Sequence, residues 1–296
     1  MISQHLRVPA VAEAGRTVSV RGRAIFVRER GQGFPLLIIN GIGANVDMLD
    51  APATALARRS RTITFDAPGT GRSSTPIFPL PIVSIAQVAR ELLDELGYAQ
   101  ADVLGFSHGG LVAQELARIA PERVRRLALV STACGWGSTL GDPAALSVLA
   151  TPFRYYSRSF GAKTSELHGD RDRMVDASLR EARLGSPPSP LGYAYLLLAA
   201  TTWSSLPWLG MLQQPTLVIV GDDDRVTVPA NSVQLARLIK NSRLHLLPGE
   251  GHLSLFDPAS GGHPVLADFF SAPDLAAATS WERGLQFGAD PDMLAA

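Results

Sequence analysis

The chain has 296 residues, with 27 basic and 27 acidic side chains and a formal net charge of zero. Hydrophobic residues make up 46% and charged residues 18%, a balance typical of a well-buried globular protein and not of a disordered chain. The lack of net charge argues against nucleic acid or another strongly charged partner. It favours a neutral or apolar ligand.

Cysteine content and hydropathy narrow the class further. Cys134 is the single cysteine, which excludes an internal disulfide framework, and no Cys/His cluster has the spacing of metal ligands. We therefore expect no metal and no other cofactor. Residues 1–20 lack an uninterrupted apolar run, and no stretch approaches 18 consecutive apolar residues. These features predict a soluble, cytoplasmic protein without a signal peptide or a transmembrane segment.

Short apolar runs alternate with helical patterns along most of the chain. An antiparallel pair of strands is predicted within 17–31, turning near Arg21 and Gly22. Further strands are predicted at 34–40, 61–66, 101–106, 125–132, 215–221 and 242–249. Helices are predicted at 82–97, 109–124 and 231–240 and near 264–270. This alternation predicts an α/β fold, in which a mostly parallel twisted sheet carries helices on both faces.

The region 134–212 breaks the alternation. It contains three of the four tryptophans and four of the five tyrosines, within helical patterns that "SPPSP" interrupts. We interpret it as an inserted helical cap over the carboxyl edge of the sheet, with 1–133 and 213–296 forming the core. The aromatic concentration favours an apolar pocket beneath the cap, although these side chains could equally form the cap's own core. The candidate pocket residues are Trp136, Tyr193, Trp203 and Trp208.

The stretch "GFSHGG" at 105–110 matches the pattern G-x-S-x-G. Ser107 follows a predicted strand and precedes a predicted helix, which is the context that a nucleophile elbow requires. Gly105 and Gly109 suit a tight turn, because side chains there would collide with the neighbouring strand and helix. The serine is then expected at the carboxyl edge of the sheet, beside a helix N-terminus that favours negative charge.

A serine hydroxyl needs a base to accept its proton, and in this architecture the base comes late in the chain. His252 lies in the loop "PGEGHLSLF" directly after the last predicted strand, where its imidazole can reach Ser107. His245 lies within that strand, where a structural role is expected, and His263 is the other late candidate. We expect His252 to be the base, and the acid to precede it in the chain.

The acid is expected just after the strand at 215–221, in "GDDDRVTVP". Asp222, Asp223 and Asp224 compete for this role. The spacing to the following apolar-Pro stretch favours Asp224 over Asp223. The acidic triplet could also form a loop for a divalent metal, but no neighbouring ligand supports that interpretation. The acid would fix the tautomer of the imidazole and stabilise the imidazolium.

Two backbone N–H groups are expected to form an oxyanion hole. One belongs to His108, directly after Ser107, and the other to Ile42 in the loop "GIGAN". "GIGAN" is not a dinucleotide fingerprint, because Val46 replaces the third glycine. A second glycine-rich turn, "DAPGTGRSS", lacks the Lys-Ser/Thr pair of a phosphate loop and is predicted to be structural. The side chain of His108 is expected to line the pocket.

With these pieces in order, the chain resembles the α/β-hydrolase superfamily over nearly its whole length. The segments "LLIINGIGAN", "FDAPGTGRSSTP" and "SHGGLVAQELARIAPERVRRLALVSTA" are similar to intracellular polyhydroxyalkanoate depolymerases of the medium-chain type. "TTWSSLPWLGMLQQPTLVIVGDDD" is the most specific segment, because it joins cap to core and is not a general hydrolase signature.

The resemblance implies cleavage of ester bonds in stored polyesters by Ser107, Asp224 and His252, in the cytoplasm or at storage granules. Because the related polymerising enzymes use cysteine, Ser107 favours hydrolysis over synthesis. The family is expected to have Trp where this chain has His108, which leaves the preferred substrate open.

Three functions follow as hypotheses. The first is a cofactor-free serine hydrolase that acts on hydroxyalkanoate polyesters or oligomers. The second is a general carboxylesterase, lipase or thioesterase for medium acyl chains. The third is a hydrolase-fold protein that binds a ligand with little turnover, since a fold alone does not establish activity.

Overall fold

The computed structural model describes residues 14–157 and 177–287. Three stretches lie outside the described residues: the N-terminal 1–13, the part 158–176 of the predicted cap, and the tail 288–296. The expectation about a signal peptide therefore falls mainly on residues that the structure does not describe.

A single mixed sheet of eight strands organises the described chain. The strands are β1 (Arg16–Val20), β2 (Arg23–Arg30), β3 (Pro35–Ile39), β4 (Arg61–Phe65), β5 (Ala101–Phe106), β6 (Val124–Val130), β7 (Thr216–Gly221) and β8 (Ser242–Leu247). Their order across the sheet is β1-β2-β4-β3-β5-β6-β7-β8. The pairs β1–β2 and β2–β4 are antiparallel, and every other pairing is parallel. The predicted hairpin is confirmed, and it turns through Arg21 and Gly22, both at positive φ.

Helices cover both faces of this sheet, as the alternation predicted. They are α1 (Asp50–Leu56), α2 (Ile82–Glu95), α3 (His108–Ile119), α4 (Pro143–Leu149), α5 (Ala177–Gly185), α6 (Pro190–Thr201), α7 (Pro229–Leu238), α8 (Gly262–Ser271) and α9 (Thr279–Arg283). The sequence analysis predicted no helix at α1, a short segment that contains Pro52. No helix within 14–157 or 177–287 is both long and apolar enough to cross a membrane.

The five central strands β3 to β7 are buried on both faces, and their residues alternate between two hydrophobic cores. On β3, Leu37 and Ile39 belong to the core formed with α2, α3 and α7, whereas Leu36 and Ile38 belong to the core formed with α1, α8 and α9. Each fully buried aliphatic side chain contributes about 1.5–3 kcal/mol to folding. The continuous apolar runs of the central strands are therefore the sequence signature of a sheet covered on both sides.

The segment between β6 and β7 leaves the sheet and returns to it at neighbouring positions. Its two ends pair: Gly135 and Ser204 form an isolated antiparallel bridge, and Trp136 N donates to the carbonyl of Trp203 at 2.8 Å. The helices α4, α5 and α6 lie between these ends. A segment whose ends meet in this way fits the interpretation of 134–212 as an insertion, and we retain that division as a proposal.

Substitution Gly109→Ala should lower the free energy of unfolding by about 1–3 kcal/mol. A Cβ at this position would lie 2.1 Å from the carbonyl oxygen of Ile39 and 2.6 Å from that of Asn40, so β3 and α3 would have to separate. Urea denaturation of the variant and the wild type measures the difference.

Gly185→Ala is the matched control, because a Cβ there meets nothing within 4 Å. We expect its stability to stay within about 0.5 kcal/mol of wild type. Equal losses in the two variants would contradict a role for close packing at Gly109.

Candidate active site

Ser107 lies on the turn between β5 and α3 with φ 51° and ψ −120°. This backbone conformation is rare for a residue with a side chain and costs about 1–3 kcal/mol. Tight packing maintains it: a Cβ on Gly105 would lie 2.5 Å from the carbonyl oxygen of Gly109, and one on Gly110 would lie 2.3 Å from Thr132 Oγ1. Thr132 Oγ1 also donates to the carbonyl of Ser107 at 2.7 Å. The turn therefore presents the serine side chain at the carboxyl end of β5.

His252 connects Ser107 to Asp224 by a chain of hydrogen bonds. The distance from Ser107 Oγ to His252 Nε2 is 3.1 Å. On the other side of the ring, His252 Nδ1 lies 2.9 Å from Asp224 Oδ2 and 3.0 Å from Oδ1. A carboxylate next to Nδ1 favours the tautomer with its proton on that nitrogen, which leaves Nε2 to accept from the serine hydroxyl. The three residues thus have the geometry needed to remove a proton from Ser107.

Asp224 is buried and held by three donors besides the imidazole. The backbone N–H groups of Val226 and Thr227 donate to Oδ1 at 2.9 Å, and Thr227 Oγ1 donates to Oδ2 at 2.8 Å. The neighbouring carboxylates have other partners: Asp223 pairs with Arg225 at 3.3 Å, and Asp222 accepts from the N–H of Gly249. Of the three candidate acids, the structure brings Asp224 to the imidazole.

The loops that carry Asp224 and His252 are bonded to each other. A Cβ on Gly221 would lie 2.0 Å from the carbonyl oxygen of Glu250, and Asp223 N donates to that same carbonyl at 3.1 Å. The buried Glu250 carboxylate accepts from Ser260 Oγ at 2.6 Å and from the N–H of Gly261 at 2.9 Å. The sequence analysis missed this support, although Gly221 at the end of β7 was a signal for close approach of two backbones.

The other two late histidines are held by backbone carbonyls away from Ser107. His245 Nε2 lies 2.7 Å from the carbonyl oxygen of Ser280, and His263 Nε2 lies 2.7 Å from that of Leu255. These contacts fit structural roles for both.

The loop after β3 lies directly against the serine. A Cβ on Gly41 would lie 3.5 Å from Ser107 Cβ. Asn40 holds the loop, because its Oδ1 accepts from Gly41 N at 2.8 Å and its Nδ2 donates to the carbonyl of Asn45 at 2.9 Å. Within the described chain, the N–H groups of Ile42 and His108 donate to no other residue. Both predicted oxyanion donors are therefore available to a ligand.

Of the three candidate pocket tryptophans, one is exposed and two pack against α3. Trp136 is 78% exposed. Trp203 Nε1 donates to Glu115 at 2.8 Å, and Trp208 meets Trp203 edge to face with its ring 5.2 Å from the guanidinium of Arg118. Glu115 lies eight residues along α3 from Ser107, which is about 12 Å of helix. The tryptophan contacts given by the described residues thus fasten the returning chain to α3 and do not reach Ser107.

Tyr193 is the candidate pocket residue that borders the site. It is buried, and its ring would lie 2.7 Å from a Cβ on Gly43, next to Ile42. Tyr155 packs at the same glycine, and the Arg154 guanidinium lies 4.7 Å from the centre of the Tyr155 ring. The sequence analysis did not assign Arg154 or Tyr155 to the site, and the aromatic run "FRYY" was the signal for them.

His108 has a buried imidazole whose Nε2 makes no hydrogen bond within the described residues. Burial lowers the pKa of His108 to about 4, and the backbone of Leu196 in α6 opposes this shift only in part. The ring is therefore neutral at neutral pH and lies between the Ser107 turn and α6. No group of three or more His, Cys, Asp or Glu side chains in the described ranges could hold a metal ion.

Comparisons with known proteins agree with this architecture. The family model described as "alpha/beta hydrolase fold" matches residues 35–259. A poly(3-hydroxyalkanoate) depolymerase of Ectopseudomonas oleovorans is 37% identical over 237 residues, which cover 79% of this chain and 83% of that protein. A pimeloyl-[acyl-carrier protein] methyl ester esterase of Nitrosomonas europaea is 29% identical over 238 residues, covering 77% of this chain and 92% of the esterase.

Solved structures agree as well. The structure of a hydrolase from Pseudomonas aeruginosa superposes with a TM-score of 0.70 at 29% identity, covering 86% of this chain and 98% of that one. The similarity therefore extends over most of this chain and nearly all of the other.

The buried His108 should make the protein less stable in mild acid. In the unfolded chain the imidazole takes up a proton near pH 6.5, whereas in the folded protein it does so only near pH 4. The stabilising contribution of neutral His108 is therefore complete above pH 6.5 and is lost as the pH falls towards 4, by about 3 kcal/mol in all.

His108→Leu removes this titration. Urea unfolding at pH 7 and pH 4.5 should give a smaller loss of stability for the variant than for wild type, by about 2–3 kcal/mol. Equal losses for the two proteins would contradict the burial of a neutral imidazole at this position.

Proposed function

Because the chain belongs to the α/β-hydrolase fold family, we propose that it is a serine ester hydrolase with Ser107 as nucleophile, His252 as base and Asp224 as acid. The observation that carries the proposal is the 3.1 Å separation of Ser107 Oγ and His252 Nε2 at a strained strand-to-helix turn. Strain of this kind clusters at functional sites, where the surrounding packing maintains it.

The proposed reaction begins with attack of Ser107 Oγ on the ester carbonyl carbon, while His252 Nε2 takes the hydroxyl proton. The carbonyl oxygen becomes an oxyanion that accepts hydrogen bonds from the N–H groups of Ile42 and His108. When the tetrahedral intermediate collapses, the C–O bond breaks and His252 returns the proton to the departing alkoxide. Water then attacks the acyl-enzyme in the same way and releases the acid and Ser107.

Asp224 supports both steps without reacting. It fixes the Nδ1–H tautomer and stabilises the imidazolium that forms transiently. The three additional donors on its carboxylate hold it in line with the ring, so that little reorganisation is needed during proton transfer.

For the substrate, we propose hydroxyalkanoate polyesters or their oligomers. Support comes from the 37% identity to a poly(3-hydroxyalkanoate) depolymerase over most of both chains, and from the zero net charge of the protein. The similarity to a methyl ester esterase supports a second candidate, hydrolysis of small acyl esters. The two candidates share the chemistry at Ser107 and differ in the substrate that must reach it, a polyester chain or a small ester.

A p-nitrophenyl ester series of increasing acyl length tests the reaction. We expect turnover by the wild type and its loss in Ser107→Ala, because the hydroxyl is the attacking group; removal of a triad serine costs up to about 10⁶-fold in kcat. A fluorophosphonate should label the wild type and not the variant. Absence of both turnover and labelling would favour a ligand-binding protein with little turnover.

The adjacent carboxylates provide a matched pair of variants. Asp224→Asn should lower kcat by about 10⁴-fold, as loss of the correct tautomer does in serine proteases. Asp223→Asn, with a partly exposed carboxylate that pairs with Arg225, should keep kcat within about twofold of wild type. A larger loss in Asp223→Asn would overturn the assignment of the acid.

Amorphous granules of a medium-chain polyhydroxyalkanoate distinguish the two substrate candidates. If the polyester is the substrate, wild-type protein should release hydroxyalkanoate monomers or oligomers from the granules, measured by mass spectrometry, and Ser107→Ala should release none. Turnover of soluble esters without release from granules would support the esterase and refute the depolymerase.

A further inference from the structure

The carbonyl oxygen of Ile42 accepts two hydrogen bonds from the segment inserted between β6 and β7. Tyr155 donates its hydroxyl to this oxygen at 2.6 Å, and Arg154 donates a guanidinium N–H at 3.2 Å. Both donors come from more than a hundred residues further along the chain. A predicted oxyanion-hole residue of the core is thus held by side chains of the proposed cap.

These bonds select one conformation of the turn Gly41–Ala44. Ala44 N donates to the carbonyl of Gly41 at 3.2 Å, and Gly43 has φ 72° whereas Ile42 is not among the residues at positive φ. This is the arrangement of a type II turn. The two hydrogen bonds to the Ile42 carbonyl hold residue 42 in place within this turn, and the N–H of the same residue lies on the other side of its Cα.

Gly41 and Gly43, on either side of Ile42, allow residue 42 and its N–H to change direction unless something holds that residue. Tyr155 and Arg154 supply that restraint from one side. The rings of Tyr193 and Tyr155 would lie 2.7 and 2.9 Å from a Cβ on Gly43. The glycine thus makes room for the two rings that approach the turn.

Arg154 is an unusual residue for a merely structural bond. It is 4% exposed and pairs with no carboxylate among the described residues. Its guanidinium lies 4.7 and 5.2 Å from the ring centres of Tyr155 and Tyr193, and its other terminal nitrogen donates to the carbonyl of Val148. A buried cation without a counter-ion is costly, and this one donates to a backbone carbonyl of the Ile42 turn.

We propose that Arg154 and Tyr155 are positioning residues, which hold the Ile42 turn so that the Ile42 N–H faces the oxyanion formed at Ser107. The inference rests on the proposed ester hydrolysis. It adds that the proposed cap sets the rate of acyl transfer through the backbone of the core, in addition to any contact with substrate.

Tyr155→Phe tests the inference, because it deletes the donated hydrogen bond and keeps the ring that packs on Gly43. With a p-nitrophenyl ester we expect kcat to fall about tenfold while KM stays within about twofold. A trifluoromethyl ketone, which forms a tetrahedral adduct on serine, should bind about tenfold more weakly, whereas the matching methyl ketone should bind as it does to wild type.

Tyr156→Phe is the matched control. Its hydroxyl also donates to a backbone carbonyl, that of Pro188 within the inserted segment, so the same bond type is lost away from Ile42. We expect wild-type kcat and wild-type affinity for the trifluoromethyl ketone. If both Phe variants lose kcat equally, or if neither loses it, Tyr155 has no positioning role and the inference is wrong.

Arg154→Lys and Arg154→Met separate the bond geometry from the charge. Lysine keeps the charge but lacks the planar fork that donates to two carbonyls at once, so kcat should fall less than in Arg154→Met, for which we expect a loss of about 100-fold, near that for removal of one oxyanion donor. If both Arg154 variants keep the kcat of the wild type, the inference is also refuted.

The failure of this inference is distinct from a failure of the proposed function. If the wild type hydrolyses no ester, the proposed function fails and the inference with it. If the wild type and Tyr156→Phe hydrolyse esters and Tyr155→Phe does so at the same rate, the inference alone fails.

Discussion

The close approach of α3 to the ends of β3 and β5 is the constraint on which the site depends. Ser107 has a strained backbone because the chain must change from strand to helix within one residue, with Gly105 and Gly109 against each other and against β3. The strain costs about 1–3 kcal/mol, which the burial of a few aliphatic side chains on the central strands offsets. The two hydrophobic cores therefore stabilise a turn that the local sequence alone would not adopt.

The parallel sheet then brings the remaining groups to the same edge. The Ile42 loop follows β3, Ser107 follows β5, and the loops of Asp224 and His252 follow β7 and β8, all at carboxyl ends of parallel strands. Contacts between loops add to what the strand order sets. The backbone around Gly221 contacts Glu250, so the loops of Asp224 and His252 are joined to each other. This joining accounts for hydrogen bonds near 3 Å among side chains far apart in sequence.

Much of the fold and part of the site could be predicted from the sequence. Strands, hairpin and most helices follow from apolar periodicity, which is a local property, and the expected Ser107, Asp224 and His252 follow from their order after successive strands. Trp203 and Trp208 were expected in a pocket, and their contacts with α3 were not predicted. An aromatic side chain suits either a pocket or a packed interface, and the tertiary structure determines which of the two it occupies. Here Trp203 contacts Glu115 and Trp208 contacts Arg118, both on α3. Arg154 was not predicted for a similar reason, since arginine side chains are mostly exposed, whereas the tertiary structure buries this one against Tyr155 and Tyr193.

Two of the attachments between the core and the proposed insertion 134–212 differ in kind. Where it leaves and returns, Ser205 donates to Gln114 and Trp203 to Glu115, so its ends are bound to α3 by side chains within the core helix. Where it crosses the sheet edge, it holds the carbonyl of Ile42, a backbone group between two glycines. The first attachment joins the segment to a helix, whereas the second joins it to a turn that contains Gly41 and Gly43. The hydrogen bonds among Ser107, His252 and Asp224 join residues of the core, so in the proposed mechanism the segment acts on the reaction through the Ile42 turn.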